Sequence, residues 1–194
     1  MTAIPPVDGL TIGAALRRAA GHRPGHEALV FPQAGFRATY AELDARVDDI
    51  ARSLIALEVK RGDHVAVWAT NWPEWTLAFL ATVRLGAVLV TVNPAYRTHE
   101  LSYALNQSEA KVLFLVDRFK SSDYFAMIDE VRGEVPLLRS VVSMKEHAPT
   151  GALTWPGFLA LGRTVPEDEV HRRESLVAPL DPANLQYTSG TTGF

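Results

Sequence analysis

Three continuous apolar runs constrain the fold more than any other feature of this sequence. They lie at 65–69, 88–92 and 112–116. A run without alternation is typical of a strand buried on both faces, as in a parallel sheet. The helix predicted over 73–85 has proline in its first turn and glycine after its end, and the helix predicted over 98–107 has Thr98 as its cap. The order over 64–116 therefore predicts parallel strands joined by right-handed crossovers, with helices covering the sheet.

The chain before these runs has weaker signals. Residues 1–10 predict an arm, and the apolar positions from 16 to 20 predict a short helix that ends near Gly21. Two strand patterns at 28–31 and 36–39 surround a turn that contains proline and glycine.

A longer helix follows this turn. Its apolar residues recur at alternating spacings of three and four, which places on one face Tyr40, Leu43, Val47, Ile50, Leu54 and Leu57. Thr39 and Glu42 predict a capping box, and Gly62 is the expected stop signal. The opposite face carries Asp44, Asp48 and Asp49. We interpret these carboxylates as a solvated surface rather than a metal site.

The chain after the third run is less regular. Asp123 caps a predicted short helix, and 140–144 predicts another strand. We interpret 145–183 as a loosely structured, solvated connection with one small helix around 158–161. A short strand at 185–187 would then deliver the last residues to a carboxyl edge of the sheet, where ligands of α/β folds bind.

The last residues combine glycines with small hydroxyls. They are Thr188, Ser189, Gly190, Thr191, Thr192 and Gly193. Glycine allows the backbone to come close to a ligand, and successive N–H groups with hydroxyl donors suit a phosphate. A P-loop NTPase motif needs a lysine directly after its second glycine, and this spacing is missing. In isolation, such a string is more often a flexible loop.

The segment 185–194 closely resembles the phosphate-binding signature of the acyl-adenylate-forming (AMP-binding) superfamily, in its fatty acyl-CoA synthetase branch. Further stretches resemble family landmarks in the same order, at 39–43, 62–67, 71–75, 85–88 and 93–96. The resemblance covers nearly the whole chain. In that family the signature continues with Pro-Lys-Gly. We therefore expect an N-terminal fragment: an incomplete N-terminal part of an α/β large domain, with a mostly parallel sheet flanked by helices.

The resemblance implies a two-step ligase that uses ATP, Mg²⁺ and CoA at full length. A carboxylate, expected to be a fatty acid, would form an acyl-adenylate and then a CoA thioester. The resemblance assigns residues 188–193 to triphosphate contacts. It assigns no catalytic residue and no metal ligand to this chain, so the 194 residues alone are expected to be inactive.

Two kinds of alternative stay open. Other adenylate-forming enzymes have similar signatures, namely aryl-CoA ligases, luciferase-like enzymes and adenylation domains of peptide synthetases. The chain could also be a non-catalytic binding module if its 194 residues are the complete product.

Composition excludes several other functions. A net charge of −3 provides no basic surface for nucleic acid, and the absence of cysteine excludes a thiol nucleophile. The six histidines lack zinc-protease spacing. The most apolar stretch, 75–96, is interrupted by Arg84, and neither part reaches the ~18 residues of a membrane span. With no secretory signal pattern at the N-terminus, we expect a cytoplasmic protein; a homodimer is left open.

Overall fold

The computed structural model describes residues 9–188, which contain seven α-helices and nine strands. In chain order the helices are α1 (Ile12–His22), α2 (Tyr40–Ala56), α3 (Pro73–Arg84), α4 (Thr98–Gln107), α5 (Tyr124–Val131), α6 (Trp155–Leu161) and α7 (Glu167–Glu174). The strands are β1 (Glu27–Phe31), β2 (Phe36–Thr39), β3 (His64–Trp68), β4 (Val88–Thr91), β5 (Val112–Leu115), β6 (Arg118–Phe119), β7 (Ser122–Asp123), β8 (Ser140–Ser143) and β9 (Asn184–Gln186).

Five strands form the central sheet, in the order β8-β5-β3-β4-β9, and all four neighbouring pairs are parallel. β3, β4 and β5 lie side by side in its middle and are almost completely buried. This confirms the predicted α/β class with a mostly parallel sheet flanked by helices. β1 and β2 form a separate antiparallel hairpin, as do β6 and β7.

The helices pack in two layers. α2 contacts α1, α3, α6 and α7, whereas α4 contacts α5. The chain moves from β3 to β4 on one side and then back past β3 to β5, so right-handed crossovers place α3 and α4 on opposite faces. The chain segments after β3 and β4 therefore diverge at the carboxyl edge of the sheet. Such a divergence opens the crevice in which α/β sheets bind ligands.

The helices that flank β4 begin and end close to the predicted positions. α3 spans Pro73–Arg84, and Gly86 follows it in the left-handed region (φ 69°). α4 begins at Thr98, but the residue at its cap position is Arg97, whose backbone N–H donates to the Glu100 carboxylate (3.0 Å). The prediction that Thr98 caps this helix is therefore wrong by one residue.

α2 has the predicted capping box but ends earlier than predicted. Thr39 N–H donates to the Glu42 carboxylate (2.8 Å), and Glu42 N–H donates to Thr39 Oγ1 (3.3 Å). The helix ends at Ala56, well before Gly62. Glu58 adopts the left-handed conformation (φ 62°) that glycine usually supplies at a helix end. A stop signal based on glycine therefore missed this end.

The segment 145–183 has more regular structure than we interpreted from the sequence. It contains two α-helices rather than one, and it buries Phe158 and Val170 in the core. α7 has acidic residues in its first turn and basic residues in its last, which complements the helix dipole. The small helix around 158–161 is present as α6, but the charged residues that follow it form a second helix. The interpretation of this part as loosely structured was therefore wrong.

The carboxylates of α2 are not all on a solvated surface. Asp44 and Asp48 both form ion pairs with Arg84, whose side chain is fully buried. Arg17 of α1 also pairs with both carboxylates, and it contacts Glu174 of α7. The predicted solvated face was wrong at these two positions, because cations from other helices pack over them.

Candidate functional site

The structure describes one of the six residues predicted to contact triphosphate. Thr188 is exposed and follows β9, which pairs in parallel with β4 so that Gln186 lies opposite Thr91. The chain therefore leaves β9 at the carboxyl edge of the sheet, as predicted. The other five lie outside the described residues: Ser189, Gly190, Thr191, Thr192 and Gly193.

A turn after β4 borders the same edge of the sheet, and side chains fix its backbone. Trp68 Nε1 donates to the Asn93 carbonyl (3.1 Å), and the Tyr124 hydroxyl donates to the Pro94 carbonyl (2.6 Å). Asn93 Oδ1 in turn accepts from the Ala95 N–H (2.9 Å). Together with the hydrogen bond from the Tyr96 N–H to the Asn93 carbonyl (3.0 Å), these contacts anchor the turn.

The two donors to this turn are stacked on each other. The rings of Trp68 and Tyr124 lie 3.5 Å apart at 5°, and both side chains are completely buried. Burial raises the pKa of Tyr124 to about 12, so the phenol keeps its proton at neutral pH and remains a donor. Trp68 lies within the first apolar run of the sequence, and Tyr124 begins the short helix that Asp123 caps. Neither local pattern indicates that the two rings meet.

A second aromatic contact lies farther along the same edge. Lys145, which follows β8, places its ammonium over the Trp72 ring, 3.1 Å from the ring centre. The ends of β8 and β9 are four strand spacings apart in the sheet, roughly 19 Å. Lys145 therefore contacts the indole of Trp72, in the segment after β3. The sequence analysis did not predict this contact between Lys145 and Trp72.

The described residues offer no preformed metal site. Residues 9–188 contain no group of three or more His, Cys, Asp or Glu side chains arranged to hold a metal ion. Of the residues predicted to contact triphosphate, the structure describes Thr188, whose exposed side chain follows β9 at the carboxyl edge of the sheet. Within this part of the chain, no side chain is assigned to Mg²⁺.

Two cavities of the described region lie away from this edge. One of about 650 Å³ lies between α5 and the turn at 149–152. Another of about 340 Å³ lies at the amino edge of the sheet, beside Gly62 and Asp181. Neither is lined by Thr188 or by the turn after β4. Among residues 9–188, none of the helices has the length and apolar character required to cross a bilayer.

Comparisons with known proteins agree with this geometry. The family model described as AMP-binding enzyme matches residues 16–194. YngI of Bacillus subtilis (strain 168), assigned to the acyl-CoA synthetases, is 34% identical over 197 residues, which cover 95% of this chain and 36% of that protein. The mitochondrial medium-chain acyl-CoA ligase ACSF2 of Bos taurus is 34% identical over 197 residues, which cover 94% of this chain and 32% of the relative.

A solved structure has the same arrangement of elements. The anthranilate CoA ligase AuaEII, in complex with anthranoyl-AMP, superposes with a TM-score of 0.76 at 25% identity. The match covers 97% of this chain and 34% of that one. The chain thus spans about a third of the length of the curated relatives it matches.

Proposed function

The chain belongs to the AMP-binding enzyme family, and we propose that it forms the N-terminal part of an ATP-dependent, AMP-forming acyl-CoA synthetase that activates a fatty acid. One observation carries the proposal. β9 lies parallel to β4 at the edge of the sheet, so the chain reaches Thr188 at the carboxyl edge. This is where α/β sheets bind nucleotides.

The proposed reaction has two steps. First, a carboxylate oxygen attacks the α-phosphorus of ATP, the bond to the β-phosphate oxygen breaks, and acyl-adenylate and pyrophosphate form. Then the CoA thiol attacks the acyl carbonyl, and AMP leaves. The first step concentrates negative charge on the departing pyrophosphate, so donors fixed in advance lower its barrier. Mg²⁺, when bound to the full-length enzyme, would neutralise part of this charge.

In this proposal, residues 188–193 bind the β- and γ-phosphates. The backbone N–H groups of a glycine-rich turn point toward an anion, and each threonine or serine hydroxyl adds a donor. The anchored turn after β4 is the neighbouring wall of the same crevice. Catalytic groups and the adenine and ribose contacts would come from the rest of the enzyme.

A fatty acid is the first choice of substrate, and an aryl acid is the second. ACSF2 is named as a medium-chain acyl-CoA ligase, whereas AuaEII is named as an anthranilate CoA ligase. Fatty acid, ATP and CoA are the proposed partners, and the proposed location is cytoplasmic. The alternative to this enzymatic function is a non-catalytic binding module, and the experiment must distinguish the two.

Carboxylate-dependent exchange between ATP and labelled pyrophosphate tests the function of the full-length protein. The acids should include a medium-chain fatty acid, a long-chain fatty acid and anthranilate. We expect exchange with the fatty acids, and a CoA thioester when CoA is added. Exchange with anthranilate alone would favour the aryl-acid alternative. No exchange with any acid would contradict an adenylating function.

The 194-residue chain by itself should give no exchange above a control without carboxylate. Its phosphate-binding segment lacks the family's lysine, so most of the triphosphate charge would stay unbalanced. Circular dichroism of the same sample should establish that the chain is folded. Exchange by the folded 194-residue chain would overturn this expectation.

A further inference from the structure

β9 is a short strand, and side-chain hydrogen bonds anchor it at both ends. It has three residues, and among residues 9–188 it pairs only with β4. Strand ends held on one side open easily. Asn184 Nδ2 anchors the first end by donating to the Leu89 carbonyl (3.1 Å) and to Thr91 Oγ1 (3.2 Å). Just beyond the other end, the Tyr187 hydroxyl donates to the Ala104 carbonyl of α4 (3.1 Å).

The phenol of Tyr187 is a permanent donor at neutral pH. Its ring is half-buried against the core, and this burial raises the pKa of Tyr187. The Ala104 carbonyl also accepts from the Ser108 N–H (3.0 Å) and from Ser108 Oγ (2.6 Å). The acceptor is therefore held in place by α4 itself.

The position of Tyr187 in the chain gives this bond its importance. Tyr187 directly precedes Thr188, the first residue of the segment proposed to bind triphosphate. Holding the phenol against α4 therefore fixes the residue from which the backbone continues into Thr188.

We propose that Tyr187 is a positioning residue for the triphosphate-binding segment: its hydrogen bond to Ala104 fixes the end of β9 from which the chain continues into Thr188, the first residue of that segment. This inference rests on the proposed function. The hydroxyl acts through Thr188 and does not touch the reacting atoms. Its influence is confined to adenylation, because pyrophosphate has already left when CoA reacts.

The test uses the full-length protein and the variant Tyr187→Phe, which removes only the hydroxyl. Two half-reactions are measured: carboxylate-dependent pyrophosphate exchange at varied ATP, and thioester formation from synthetic acyl-adenylate and CoA. We expect the KM for ATP to rise about 3- to 10-fold, the effect of one neutral hydrogen bond. The KM for the carboxylate and the rate of thioester formation should stay within about twofold of the wild type.

Two control variants separate positioning from general stabilisation. Tyr103→Phe removes an exposed phenol of α4 whose hydroxyl makes no hydrogen bond within residues 9–188, and it should leave both half-reactions unchanged. Asn184→Ala weakens the first end of β9, so it should lower the melting temperature and leave the KM for ATP within about twofold.

Three results would overturn the inference. The first is a wild-type KM for ATP in Tyr187→Phe. The second is an equal loss in both half-reactions, which a purely structural role would produce. The third is the same rise in KM in Asn184→Ala. Absence of exchange in the wild-type protein is a different failure, because it overturns the proposed function itself and the inference with it.

Discussion

The elements on the two sides of the sheet are joined to their neighbours by different polar contacts. On the side of α1, α2, α3 and α7, charged side chains form one network: Arg17, Asp44, Asp48, Arg84 and Glu174. At the carboxyl edge and on the side of α4 and α5, neutral side chains donate to backbone carbonyls: Trp68, Tyr124 and Tyr187.

This difference separates stability from positioning. Removing a member of this charge network leaves its partners with fewer opposite charges in a largely buried site, so the loss is large. Removing a neutral donor takes one hydrogen bond from a carbonyl and leaves no charge unpaired, which is a smaller loss. We therefore expect substitutions in the network to affect folding most. Substitutions among the neutral donors should mainly affect the backbone near the proposed site.

The largest expected effect is that of Arg84→Met. Arg84 is fully buried and pairs with Asp44 and Asp48, so its removal should lower the free energy of unfolding by about 3–5 kcal/mol. Urea denaturation of the 194-residue chain measures this value. Arg37→Met is the control, because Arg37 and Glu27 form an ion pair with both side chains more than half exposed, and its loss should be at most about 1 kcal/mol. Equal losses in the two variants would break the comparison.

The next effect is kinetic and concerns Thr191, which lies outside the described residues. In the full-length enzyme, Thr191→Val should lower kcat/KM for ATP by roughly 10- to 100-fold, because a donor to a charged oxygen contributes about 1.5–3 kcal/mol. Pyrophosphate exchange measures the change. Thr164→Val is the control, since the Thr164 hydroxyl donates within its own turn, to the Leu161 carbonyl. Unchanged kinetics of Thr191→Val would mean that this hydroxyl only shapes the turn.

A smaller effect is expected for Tyr124→Phe. The variant keeps the stacked ring and leaves the Pro94 carbonyl without its donor, so the free energy of unfolding should fall by about 0.5–1.5 kcal/mol. Urea denaturation compares it with Tyr103→Phe, which should change stability by less than about 0.5 kcal/mol. A loss as large as that of Arg84→Met would contradict the proposed difference between the two layers.

The smallest effect belongs to the exposed charges of α7. Hydrogen bonds from Arg172 and Arg173 lower the pKa of Glu169 from 4.5 to about 2. A lowered carboxyl pKa stabilises the fold above the ordinary pKa, and this contribution is lost as the pH falls from 4.5 to about 2. Wild type and Glu169→Gln should therefore differ slightly in thermal unfolding at pH 6 and converge at pH 2. A difference that persists at pH 2 would assign another role to this side chain.

Local patterns were sufficient for most of the fold. The buried strands and the helices between them could be predicted because burial on both faces and helical periodicity are recorded in neighbouring residues. The capping box of α2 is equally local, since Thr39 and Glu42 are three positions apart. The prediction of where α2 ends was wrong because Glu58, rather than a glycine, adopts the left-handed conformation after the helix. α7 was not predicted because its charged residues resemble those of a solvated connection.

The sequence by itself determined the α/β class and the parallel direction of β3, β4 and β5. It also determined the resemblance of its last residues to a phosphate-binding signature. Only the tertiary structure decided which side chains meet. Arg84 reaches Asp44 across 40 positions of the chain, and Tyr187 reaches Ala104 across 83. The spacing of residues within one element contains no record of such contacts, because they form when separate elements pack against the same sheet. The anchors of the proposed site therefore become visible only in the folded chain.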